Sequence, residues 1–146
     1  MDTYTINKIS DEDELFSIIT ANTQKENEIA LLLDSTKCTG GDTLEFLQFM
    51  KENHENVKVY GDADNVNFVQ LNSVIISIGT VFATTVAVPI ILNLISNFLQ
   101  KKIDRFGSRD IELRVSIIKQ EADGSLNKID IAGKADDVLE VVSRLN

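Results

Sequence analysis

"NSVIISIGTVFATTVAVPIILNLISNFLQKK", running from Asn72 to Lys102, is the stretch on which the fold turns, because no charge falls between Asp64 and Lys101. From Val74 to Leu99 the residues are uncharged and mostly apolar. As one continuous helix they would reach roughly 39 Å, more than a bilayer core of about 30 Å. Gly79, Ala83 and Ala87 stand four apart, a small-residue row that lets helices approach closely in lipid and self-associate. Ser73, Ser77, Thr80 and Thr84 form a second row at helical spacing, giving one flank that is polar without charge and suited to lining an assembled pore. Lys101, Lys102 and Arg105 close the run as a basic membrane boundary.

The same residues admit a water-soluble reading. Pro89 interrupts the run and "TTVAV" before it is rich in β-branched residues. Two helices of about 15 residues, with Pro89 near the start of the second, would then form a hairpin that covers neighbouring pieces of the protein. Asn93, Asn97 and Gln100 continue a polar edge that a surface helix would use. The positive-inside rule places the basic end in the cytoplasm and would send the N-terminal part outward. That part begins "MDTYTINKISDEDELF", without the basic and apolar regions of a signal peptide. Cytoplasmic synthesis is the expectation, with inner-membrane association if the segment inserts.

Working outward, the N-terminal third alternates strand and helix signals. "TYTINKI" reads as a weak strand and "SDEDELFSIITAN" as a helix capped by Ser10, with acids at its positive end. "EIALLLD" is a short apolar run of the kind a buried strand gives. "GGDTLEFLQFMKENH" follows as a helix with Asp42 as N-cap, Glu45 three residues on, and Leu44, Leu47 and Met50 along one side. "VKVYG" is a third strand. The order predicts a small βαβαβ layer with a partly parallel sheet.

In the last third, Ile111, Leu113, Val115 and Ile117 alternate with Glu112, Arg114 and Ser116, which marks a strand with one buried face. The Asp123-Gly124 turn returns the chain through "NKIDIAG". "KADDVLEVVSRL" makes a closing helix with Val138, Leu139, Val142 and Leu145 on one side. The predicted architecture is α+β in three segments: an acidic α/β part over 1–65, the apolar helix or helical hairpin over 66–103, and a β-hairpin plus helix over 104–146.

Charge and composition narrow the function. The formal net charge is −9, and residues 1–65, with fourteen acids and five lysines, hold all of the excess. Such a surface repels phosphate backbones, so nucleic acid is not an expected partner. One cysteine, Cys38, and one histidine, His54, give no disulfide and no metal-binding spacing, so neither a metal nor a cofactor is expected. The loop "DSTKCTGGDT" lies where α/β proteins bind phosphate, but it lacks the Walker A and dinucleotide spacings. Asp34, Cys38 and His54 are a weak nucleophile set, and no catalytic residue is assigned.

The order of "NVKVYG", an apolar stretch ending in "ISNFLQKKI", the strand "IELRVSII", a DG turn, "KIDIAG" and the acidic helix "ADDVLEVV" resembles the effector-associated constant component family of bacterial conflict systems. The resemblance covers roughly residues 28–145. It implies a non-enzymatic component of antiviral defence that works with a separate effector, such as a peptidase; a homo-oligomer is expected separately, from the small-residue row Gly79, Ala83 and Ala87. Two forms of that function follow. In one, the apolar helix self-associates and perturbs the membrane when a partner activates it. In the other, a soluble adaptor recruits the effector, with the 111–132 hairpin offering an edge strand.

Overall fold

The computed structural model describes residues 4–10, 14–20, 28–33, 38–61, 67–69, 75–106, 111–121 and 123–145. Alternation decides the C-terminal part as the sequence predicts. Leu113, Val115 and Ile117 are buried while Arg114 is exposed, which builds strand β7 (Glu112–Gln120). The Asp123-Gly124 turn, with Gly124 at φ +89, folds it back antiparallel onto β8 (Leu126–Lys134). Ile129 and Ile131 stand opposite Ile117 and Val115, on the same buried face.

The remaining strands are β1 (Tyr4–Lys8), β2 (Ile29–Leu33), β3 (Cys38–Gly40), β4 (Val57–Gly61), β5 (Asn67–Val69) and β6 (Ile75–Ala83). The helices are α1 (Glu14–Thr20), α2 (Gly41–Asn53), α3 (Val88–Phe106) and α4 (Ala135–Leu145). The protein is α+β, with a six-stranded mixed sheet in the order β1-β8-β7-β6-β2-β4 and a small parallel β3-β5 pair. Segments 1–65, 66–103 and 104–146 all contribute strands to the one large sheet.

The apolar middle is where expectation and structure part. Residues 75–83 are neither a span nor the first arm of a helical hairpin; they are β6, set between β7 and β2. A strand in this place is buried on both faces, so its sequence runs apolar without clean alternation. A bulge hides the pattern further. Ser77 pairs with Arg114 and Gly79 with Val115, leaving Ile78 as an extra residue. The inward face therefore switches from Ile76 and Ile78 to Val81 and Ala83, all of which join one core cluster, while Phe82 joins the other.

Gly79 permits the bulge through a φ of +94. A Cβ there would meet Thr43 only at 3.6 Å, an ordinary contact, so space is not the obstacle. Gly79→Ala is therefore expected to cost about 1–2 kcal/mol through backbone strain alone. Urea unfolding would check this, and an unchanged midpoint would show that the bulge relaxes.

A 3-10 turn (Thr85–Ala87) follows, tied to the end of β7 by the Thr85 hydroxyl donating to the Gln120 carbonyl. Pro89 then sits in the first turn of α3, where its missing N–H costs nothing. This second arm is the helix the soluble reading predicts. Because β6 and β7 are parallel neighbours, the chain between them must cross over the sheet, and α3 is that crossover. β2, α2 and β4 repeat the arrangement. The predicted βαβαβ layer is thus parallel only in β2 and β4, since β1 pairs antiparallel with β8 at the far edge.

α2, α3 and α4 cover one face through Phe46, Met50, Ile91, Ile95, Phe98, Leu99, Val138 and Val142. On α2 the buried stripe is Thr43, Phe46 and Met50, with Leu47 half-buried and Leu44 exposed. Leu44 thus lies off the predicted stripe. α1 covers the opposite face, with Ile19 against a cluster that includes Ala30, Leu32, Tyr60, Phe82 and Ile118. The Ser10 cap lies next to residues outside the described ones, and the Asp42 side chain is outside them too.

Candidate functional site

The basic boundary residues are the ones the fold gathers into a site. α3 presents Phe98, Lys101, Lys102 and Arg105 at spacings of three, four and seven, which is one side of a helix. The cations stand in its last two turns, where the helix dipole favours them. α2 faces them with Glu45, Gln48, Phe49 and Glu52, also three, four and seven apart. The two rows line a groove that encloses about 210 Å³.

Its floor is aromatic. Phe98 meets fully buried Phe46 edge-on, with centroids 5.0 Å apart, and the tilted Phe49 ring at 5.6 Å. Such pairs add to the area they bury. Lys102 is only 5% exposed. Its ammonium lies 5.4 Å from the Phe98 centroid and donates to Glu45 Oε2, while Arg105 Nη1 reaches Glu45 Oε1 at 3.3 Å. One carboxylate thus joins two cations from a helix 57 to 60 residues away in the chain. Lys101 takes a different place, 5.7 Å from the Phe49 centroid at the exposed rim. On the other wall the Gln48 amide donates to Glu52 Oε1 at 3.2 Å.

Lys101, Lys102 and Arg105 therefore belong to a helix–helix groove in which Lys102 is part of the packed interior. The small-residue row does not share a helical face: Gly79 and Ala83 are on β6 and Ala87 is buried in the 3-10 turn. Of the polar row, Ser77 and Thr80 lie on β6, Thr84 is buried just beyond it, and Ser73 is outside the described residues. Thr84 works through its backbone, accepting from the Ala87 and Val88 N–H groups at 2.9 and 3.1 Å and donating to the Glu28 carbonyl.

The nucleophile set is not assembled. Cys38 precedes α2 and His54 follows it, so a helix about 20 Å long stands between them. Asp34 is outside the described residues. The hairpin β7–β8 does not offer an edge either, because β6 flanks it on one side and β1 on the other. Phe49, Phe98 and the groove role of Glu45 escaped the sequence reading, although the spacing of residues 98, 101, 102 and 105 was there to be seen.

The stretch Thr85–Arg105 is long and apolar enough, by length and composition, to cross a membrane, and half of its apolar window is buried inside the fold. No protein-family model, curated protein or solved structure matches the chain.

Proposed function

We propose that the protein is a non-enzymatic adaptor that holds a partner protein in the α2–α3 groove, and that the partner segment presents a carboxylate beside an apolar side chain. The observation that carries this reading is the groove's composition: three cations and two carboxylates over an aromatic floor, in a chain whose net charge is −9. With Lys102 and Arg105 both engaged by Glu45, Lys101 at the exposed rim is the cation placed to meet an acidic segment, and the excess negative charge of the chain disfavours such a segment elsewhere. Half-buried Phe49 and exposed Arg105 are residue types enriched at protein interfaces. The family resemblance suggests the partner class, an effector such as a peptidase.

The membrane-perturbing form requires α3 to leave the sheet. Ile91, Leu92, Leu94, Ile95, Phe98, Leu99 and Ile103 are buried in it, each worth about 1.5–3 kcal/mol. Losing several would consume a typical net stability of 5–15 kcal/mol, so insertion would amount to unfolding. The adaptor reading needs no such step.

A photo-crosslinking residue placed at Gln48, in cells that make the partner, tests the proposal. The expected result is one dominant crosslinked protein, attached through an acidic segment and lost in Lys101→Glu. Crosslinks that ignore Lys101→Glu, or that map to a basic segment, would overturn it.

A further inference from the structure

Beyond the groove, and independently of it, the sheet has a free edge that matches itself. Among the described residues β1 ends the strand order, with β8 on one side and no strand of the sheet on the other. Its outer backbone groups form a row ready to pair. Thr5, Ile6, Asn7 and Lys8 are exposed, and Ile6 stands 52% open, a large apolar side chain on an edge. Natural edges are usually blocked by proline, by a bulge or by charges along the strand. β1 has no proline, keeps regular register with β8 from Tyr4 to Lys8, and carries one charge, at its last position.

We infer that two copies of the chain pair antiparallel through β1, centred on Ile6, to give one continuous sheet of twelve strands. The two-fold operation brings Ile6 against the second copy's Ile6, Thr5 against its Asn7, and Tyr4 against its Lys8. Each pairing is favourable. The isoleucines bury each other's exposed surface, the hydroxyl and amide hydrogen-bond, and the ammonium meets an aromatic ring. No like charges oppose. On the helix-covered face these residues extend a buried row, since Tyr4 and Ile6 stand opposite Ile131 and Ile129 in β8.

The other outer strand, β4, is less suited. The same operation about Val59 sets Gly61 against Val57, leaving those positions without a matching side chain. Pairing through β1 leaves α2 and α3 out of the contact, so the dimer carries two grooves and can hold two partner segments at once.

Light scattering with size-exclusion chromatography on the full chain tests this across a range of concentrations. Wild type is expected at twice the chain mass of 16.2 kDa. Ile6→Lys, which opposes two ammonium groups at the axis, should weaken the dimer at least about tenfold without changing the circular dichroism spectrum. In a Cys38→Ala background, Ile6→Cys should form a disulfide-linked dimer on mild oxidation, and Lys8→Cys, placed off the axis, should not. A wild-type monomer at every concentration, an Ile6→Lys dimer as tight as wild type, or equal crosslinking at both positions would each overturn the inference.

Discussion

Phe98→Ala is expected to destabilise the protein by about 3–5 kcal/mol. At a urea slope near 2 kcal/mol/M this moves the unfolding midpoint down by roughly 2 M. The chain has no tryptophan, so far-ultraviolet circular dichroism is the natural readout. The magnitude follows from the position: the ring is 2% exposed, packed on Phe46 and Phe49, and part of the core between α3 and the sheet. Truncation leaves a cavity that three elements would have to collapse to fill, and it removes both ring contacts. The effect also separates the two readings of the apolar stretch. A lipid-facing phenylalanine in a span has fluid neighbours that close over the gap, and its loss would alter stability little. A shift below about 1 kcal/mol would place Phe98 outside a packed core.

What could be read in the sequence was local. Strands β7 and β8 declared themselves because one face is polar along much of their length, so Arg114 and Ser116 punctuate the apolar residues. α4 did so because Asp136 and Asp137 open it and its apolar positions recur at helical spacing. β6 did not, because burial on both faces removes the polar half of the pattern and the bulge at Ile78 shifts what alternation remains. Its one local clue is composition: "SVIISIGTVFATTVAV" is dominated by β-branched residues, which favour strands over helices. The spacing of four between Gly79 and Ala83 is accidental to a strand. There, four residues put two side chains on one face in the same way that two residues do. The groove was half legible for the same reason. α3's row follows from helical geometry, but Glu45 meets it only through the tertiary packing of α2. Register between β1 and β8, about 125 residues apart, is likewise a property of the assembled sheet.

At Lys102 the chemistry of two substitutions should diverge sharply. Lys102→Met keeps the long stem against Phe98 and removes a buried charge, so its stability should stay within about 1 kcal/mol of wild type. Glu45 tolerates this loss because it is 44% exposed and still has Arg105 at 3.3 Å. Lys102→Glu should cost about 3–5 kcal/mol, since it replaces a buried, paired ammonium with a carboxylate set beside the like charge of Glu45. Urea midpoints of the two variants read the difference directly. A simple membrane-boundary lysine gives another result: the charge would sit in the headgroup region, and reversing it would change orientation in the bilayer rather than the stability of a folded domain. Equal midpoints for the two variants would mean that Lys102 reaches solvent and that the groove's inner wall is open. A wide gap would make it the charged core of the α2–α3 contact, with Lys101 left at the rim as the cation that meets a partner.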